Sequence, residues 1–167
     1  MCSSDLTASL SGYERSRVLV NRGLAGWTDV AAAVGVTDEY DGRAVALVDL
    51  FNRGVLDVVV ANQNQPALVY KNAVVPGTHW IALKLVGTRS NRSAIGGEVT
   101  LEAGGTRQLK VVDGGSGFAS QNDRRLHFGL GTAARVDRAV IRWPSGTSQT
   151  LEHLDGDRLH VITEPGR

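Results

Sequence analysis

Between residues 79 and 163 apolar side chains recur at every second position in short runs. In His79–Val86 the residues Ile81, Leu83 and Leu85 share one face, with Ala82 and Lys84 on the other. Val99 and Leu101 oppose Thr100 and Glu102, and Leu126 lies on the side of Phe128. A period of two is the signature of a strand with one face on a core. The pattern predicts strands at 79–86, 98–103, 107–113, 125–129, 138–143, 148–154 and 158–163. Gly104-Gly105, Gly114-Gly115, Pro144-Ser145-Gly146 and Asp155-Gly156-Asp157 supply the turns between them. Short alternating strands at this spacing imply a small antiparallel β-sandwich or barrel of roughly seven strands over residues 78–164.

Upstream the pattern differs. Residues 43–49 and 56–62 are apolar on both faces, as expected for strands covered on both sides. A third strand is predicted at 67–72, after the turn cluster 62–66. Short strands are expected at 17–21 and 27–30. Residues 29–36 read as one helical turn or an irregular crossover. Asn21-Arg22-Gly23 and Lys71-Asn72-Ala73 follow similar apolar runs, which suggests a repeat with one unit and the tail of another present. Residues 74–78 break the pattern and mark a boundary. No segment carries a sustained helical period, so the fold class is all-β.

Residues 1–16 are polar and patternless, and are expected to be an unstructured tail or an artefactual start. They lack the basic and apolar regions of a signal peptide. Cys2 is the single cysteine, so no internal disulfide can form. A net charge of +1 gives no field that points to nucleic acid or to a membrane surface. No apolar run is long enough for a transmembrane helix.

The loop Asp49–Asp57 has the frame D-x-D-x-D-G-x-x-D of a short calcium-binding loop between two strands. Calcium takes roughly six to eight oxygen ligands, and acidic residues at alternate positions can converge on it. Asp49, Gly54 and Asp57 are present, but Phe51 offers no oxygen and Arg53 puts a positive charge where the ion would sit. Asp49 and Asp57 are therefore the residues of a degenerate metal loop. An Asp–Arg ion pair in a plain hairpin loop is favoured over a calcium site, and no other cofactor is expected.

The ordered motifs resemble a known pair of elements. LDVVVANQN at 56–64 is similar to an FG-GAP/VCBS-type propeller blade. HWIALKLVGTRSNRSAIGGEVTLEAGG at 79–105, SGFASQNDRRLHFGLG at 116–131 and RWPSG at 142–146 resemble the ASPIC/UnbV domain that follows such blades. The resemblance implies a partial blade over 17–73 and an ASPIC/UnbV-like sandwich over 78–164. It also implies that the chain is a C-terminal fragment, or an abbreviated member, of a longer secreted or surface-exposed protein that carries the missing blades. An extracellular, periplasmic or cell-surface location follows from it. A lone blade has open strand edges, so it is expected to pack on the terminal domain or another chain.

The Gly-rich loop 114–125 is the candidate binding surface, through Ser116, Ser120, Gln121, Asn122, Asp123 and Arg124. Polar loops on β-scaffolds often bind. The alternative is that Asn122 and Asp123 only terminate turns and satisfy main-chain amides. No catalytic set emerges. Ser116 lacks the strand–turn–helix setting of a nucleophile elbow. His79, His127, His153 and His160 lack zinc-motif spacing, and His127 and His160 are expected on solvent faces. Arg89, Arg92, Arg107, Arg124 and Arg125 read as solvated surface. Trp27, Trp80 and Trp143 are expected to fill cores. The expected function is a non-enzymatic interaction or adhesion module that presents loops to a protein or glycan partner. The alternative is an enzyme or accessory protein of secondary-metabolite biosynthesis, since UnbV-type relatives are associated with such pathways.

Overall fold

A computed structural model describes residues 14–166; most of the N-terminal segment expected to be tail or artefact (residues 1–13, with Cys2) lies outside them. Among the described residues twelve strands are formed: β1 (Leu19–Asn21), β2 (Trp27–Asp29), β3 (Gly42–Val48), β4 (Asp57–Asn62), β5 (Leu68–Tyr70), β6 (His79–Val86), β7 (Glu98–Ala103), β8 (Thr106–Val111), β9 (Leu126–Gly131), β10 (Arg135–Arg142), β11 (Ser148–Asp155) and β12 (Arg158–Thr163). Residues 29–36 contain a single 3-10 turn, Ala32–Val34.

The seven strands from β6 onward make two sheets, ordered β12-β6-β9 and β11-β10-β7-β8. They face each other as an open sandwich, not a closed barrel. All pairs are antiparallel except β12 with β6, which is parallel. The alternation fixes what lies between the sheets. Ile81, Leu83, Leu101, Phe128 and Ile141 are fully buried there, with Val99, Val136 and Trp143. Burying one large apolar side chain contributes about 1.5–3 kcal/mol, so this cluster dominates the stability of the described residues.

Glu164 closes the sandwich just after β12. Its Oε2 accepts the main-chain N–H groups of Thr88, Arg89 and Ser90, each at 2.8 Å. Its Oε1 accepts the hydroxyls of Ser90 (2.9 Å) and Ser145 (2.5 Å). The chain end, the β6–β7 connection and the turn after β10 are thus tied by one carboxylate. Burial alone would raise this carboxyl, but these hydrogen bonds outweigh it and hold it at about 2.

The upstream residues form the sheet β3-β4-β5, an antiparallel meander, and the hairpin β1-β2. The expectation of a strand covered on both sides fails for β3, whereas in β4 Val58, Val59 and Val60 are at least half-buried on both faces. Val45 and Leu47 of β3 are 49% and 37% exposed, because only one face of β3 meets a packing layer. Trp27 was expected in a core and is 66% exposed, on a hairpin strand with no buried residue.

Strand β8 reverses the simple pattern. Gln108 and Lys110 turn inward, while Leu109 and Val111 face out. Gln108 Nε2 donates to the Gly129 carbonyl at 2.7 Å and so bridges the two sheets. The Lys110 ammonium lies 5.4 Å from the centre of the Phe128 ring. Burial lowers the Lys110 pKa.

Candidate functional site

The β3–β4 loop, residues 49–56, is pinned from inside. Both carboxylate oxygens of Asp49 accept main-chain N–H groups, Oδ1 from Arg53 (2.8 Å) and Oδ2 from Gly54 (2.7 Å). Asp57 is fully buried. Its Oδ1 accepts the Arg53 guanidinium at 2.7 Å and the Asn72 N–H at 2.8 Å. Arg53 also donates to the Asn72 carbonyl at 3.0 Å, which ties the loop to the end of β5. Stripping a buried charge of its partner costs about 3–5 kcal/mol, so the Arg53–Asp57 pair stabilises the loop chiefly by not being broken. Phe51 is half-exposed, with Arg53 and Lys71 over its ring at 5.2 and 5.0 Å.

One of the frame's ligand positions is a phenyl ring, and another carries a guanidinium that already holds Asp57. Among the described residues, no group of three or more His, Cys, Asp or Glu could hold a metal ion.

The same loop lies on the outer face of the β12-β6-β9 sheet. Gly54 has φ +80, and a Cβ there would fall 2.0 Å from Trp80 Nε1. Its carbonyl accepts the Nε2–H of His127 at 2.7 Å. The His127 and Trp80 rings stack with centroids 5.7 Å apart and planes inclined by 6°. Two expectations are corrected here. His127 is not on a solvent face, because the loop covers this side of β9. Trp80 is outside the sandwich core, under the loop, since it alternates with the core residue Ile81. Burial lowers the His127 pKa, opposed in part by the bond to Gly54. His160 is corrected as well: it shares the inner face of β12 with Ile162 and is bonded through Nε2 to the Asp155 carbonyl at 2.8 Å. Trp143 fills the core as expected, at 3% exposure.

The loop 114–125 meets β3. Asn122 Oδ1 accepts the Leu47 N–H at 2.8 Å, and the Asp123 N–H donates to the Leu47 carbonyl at 3.0 Å. This pair of bonds occupies the open edge of β3. Arg125 donates to Asp123 Oδ2 at 2.6 Å and to Asn52 Oδ1 at 2.8 Å. Burial would raise the Asp123 carboxyl, but the bonds and charge of Arg125 hold it below its ordinary value. A cavity of about 340 Å³ between the two halves is lined by Asp49, Asn52, Trp80, Asp123, Arg125 and His127.

The remaining candidates of this loop bind one another. Ser116 Oγ donates to Asp113 at 3.0 Å, and Ser120 Oγ donates to the Ser116 carbonyl. Gln121 Oε1 accepts from Arg124, which also donates to Ser93. The residue the loop presents is Phe118, 80% exposed at its tip. It borders a cavity of about 470 Å³ against β3–β5, lined by Val18, Val45, Val60 and Tyr70. The sequence signal for Phe118 was an aromatic inside a Gly/Ser-rich turn. The signal for Trp80 was its position on the face opposite Ile81.

Residues 87–167 match the family model described as ASPIC and UnbV. The chain is 28% identical over 134 residues to cartilage acidic protein 1 of Xenopus tropicalis, covering 77% of this chain and 20% of that protein. It is 25% identical over 130 residues to cartilage acidic protein 1 of Homo sapiens, covering 74% of this chain and 19% of that one. The chain thus spans about a fifth of the length of the curated relatives it matches.

Proposed function

We propose that the chain is a non-enzymatic interaction module of an extracytoplasmic protein, in which the ASPIC/UnbV-like sandwich is a rigid platform and the upstream sheets are propeller-blade elements held against it. The observation that carries this reading is the division of apolar surface. The sandwich encloses a continuous buried core despite exposed residues such as Leu109 and Val161, whereas the upstream part has no such cluster and leaves Leu24, Trp27, Val45 and Val69 exposed. A propeller blade is a four-stranded antiparallel sheet packed between neighbours. The meander β3-β4-β5, with the Asn122–Asp123 segment on its open edge, is consistent with such a blade.

The relatives named cartilage acidic protein support a place in an extracellular matrix. Phe118, exposed on the sandwich's own loop, is the apolar group offered to a protein partner, whereas Trp27 belongs to the upstream surface left for neighbouring blades. Arrays of matrix proteins and of glycans, probed with the whole chain, test this. Saturable binding to a matrix protein is expected. Turnover in a hydrolase screen, with both arrays blank, would refute the reading.

A further inference from the structure

We propose that Arg53 is a built-in replacement for a metal cation, so that the joint between the upstream sheets and the sandwich is held without calcium. The inference does not depend on the partner proposed above.

The calcium frame around Asp49 and Asp57 creates a local need for positive charge. Asp57 is fully buried, and its carboxylate needs a cation or donors. The Arg53 guanidinium supplies both. It bonds a carboxylate oxygen of Asp57 at 2.7 Å and the main-chain carbonyl of Asn72 at 3.0 Å. Asp49 is turned to main-chain amides. Two atoms of this pair are buried without a hydrogen-bond partner, Asp57 Oδ2 and Arg53 Nε.

The surroundings select against a second cation. Lys71 shares the Phe51 ring with Arg53. Arg125 reaches the loop from the sandwich, at 2.8 Å from Asn52 Oδ1 and 3.3 Å from the Asp49 carbonyl. Arg53 and Lys71 thus bring two positive charges to the loop, while that of Arg125 is balanced by Asp123 at 2.6 Å.

The consequence lies at the joint. The loop that Arg53 fixes is the one that carries Gly54 onto Trp80 and offers its carbonyl to His127. In an intact frame an ion would set this loop, and docking would follow calcium. Here a covalently attached cation sets it, and docking is constitutive.

The test uses the whole chain, read by calorimetric melting and by the Trp80 indole N–H signal. The unmodified chain is expected to show no change in either between millimolar calcium and chelator. Arg53→Gln should lower the melting temperature by about 5 °C or more and shift the Trp80 signal, in both conditions alike. Phe51→Asp combined with Arg53→Asp should make both readouts calcium-dependent. Calcium stabilisation of the unmodified chain would overturn the proposal, as would Arg53→Gln that melts unchanged. If Arg53→Gln does not fold, calcium titration of the unmodified chain decides alone: heat of binding refutes the proposal, and its absence supports it.

Discussion

Gly54 and Trp80 meet so closely that a Cβ at position 54 would lie 2.0 Å from the indole nitrogen. This contact joins the β3–β4 loop to the outer face of the sandwich. Two demands converge on one residue, a left-handed backbone at φ +80 and no side chain. The first costs an ordinary residue about 1–2 kcal/mol, and the second adds an overpacking cost of about 1–3 kcal/mol. Gly54→Ala should therefore lower stability by about 2–5 kcal/mol. Urea unfolding of both chains, followed by tryptophan fluorescence, measures it. An unchanged midpoint would mean that the loop does not dock on Trp80.

The buried carboxylate of Glu164 should make stability fall in acid. Its folded value is about 2, against an ordinary 4.5. A depressed carboxylate contributes stability that is fully present above its unfolded value and is lost as pH falls through its folded value. The loss should thus begin near pH 4.5 and continue towards about 2. Melting temperatures across this range, for the unmodified chain and for Glu164→Gln, test the point. The variant should start lower at neutral pH and have a flatter acid limb. Parallel acid limbs would remove Glu164 as the cause.

Phe118 is expected to matter for binding and not for folding. It is 80% exposed, and such surface substitutions usually change stability by no more than about 0.5 kcal/mol. Phe118→Ser should keep the melting temperature and lower affinity for the matrix protein at least about tenfold, the scale of one buried apolar anchor. Unaltered affinity would place the binding surface elsewhere.

The sandwich was legible because its strands obey a period of two. Ile81, Leu83, Leu101 and Phe128 were assigned to one face, and they lie at its centre. Strand β8 was less so, since Leu109 and Val111 face solvent while Gln108 and Lys110 point in. A bridge to Gly129 and an ammonium over Phe128 decide that orientation, and neither leaves a local pattern. The joint was hidden for a similar reason. His127 bonds to Gly54, 73 residues away in sequence, and Asn122 bonds to Leu47, 75 away. Periodicity cannot report such pairings. Trp27 shows the opposite limit, because an aromatic residue on a strand reads as core whether or not a layer covers it.

If the sandwich is a self-sufficient platform on which the upstream sheets depend, the two parts should behave differently once separated. Amide spectra of two separate pieces, residues 78–166 and residues 14–77, test this most directly. The first should give dispersed signals and a cooperative melt, because its seven strands close one core. The second should give collapsed signals, because its apolar side chains lack a layer to cover them. A well-dispersed spectrum from residues 14–77 would show that the upstream sheets do not depend on the sandwich, and an unfolded one from residues 78–166 that the sandwich is not self-sufficient.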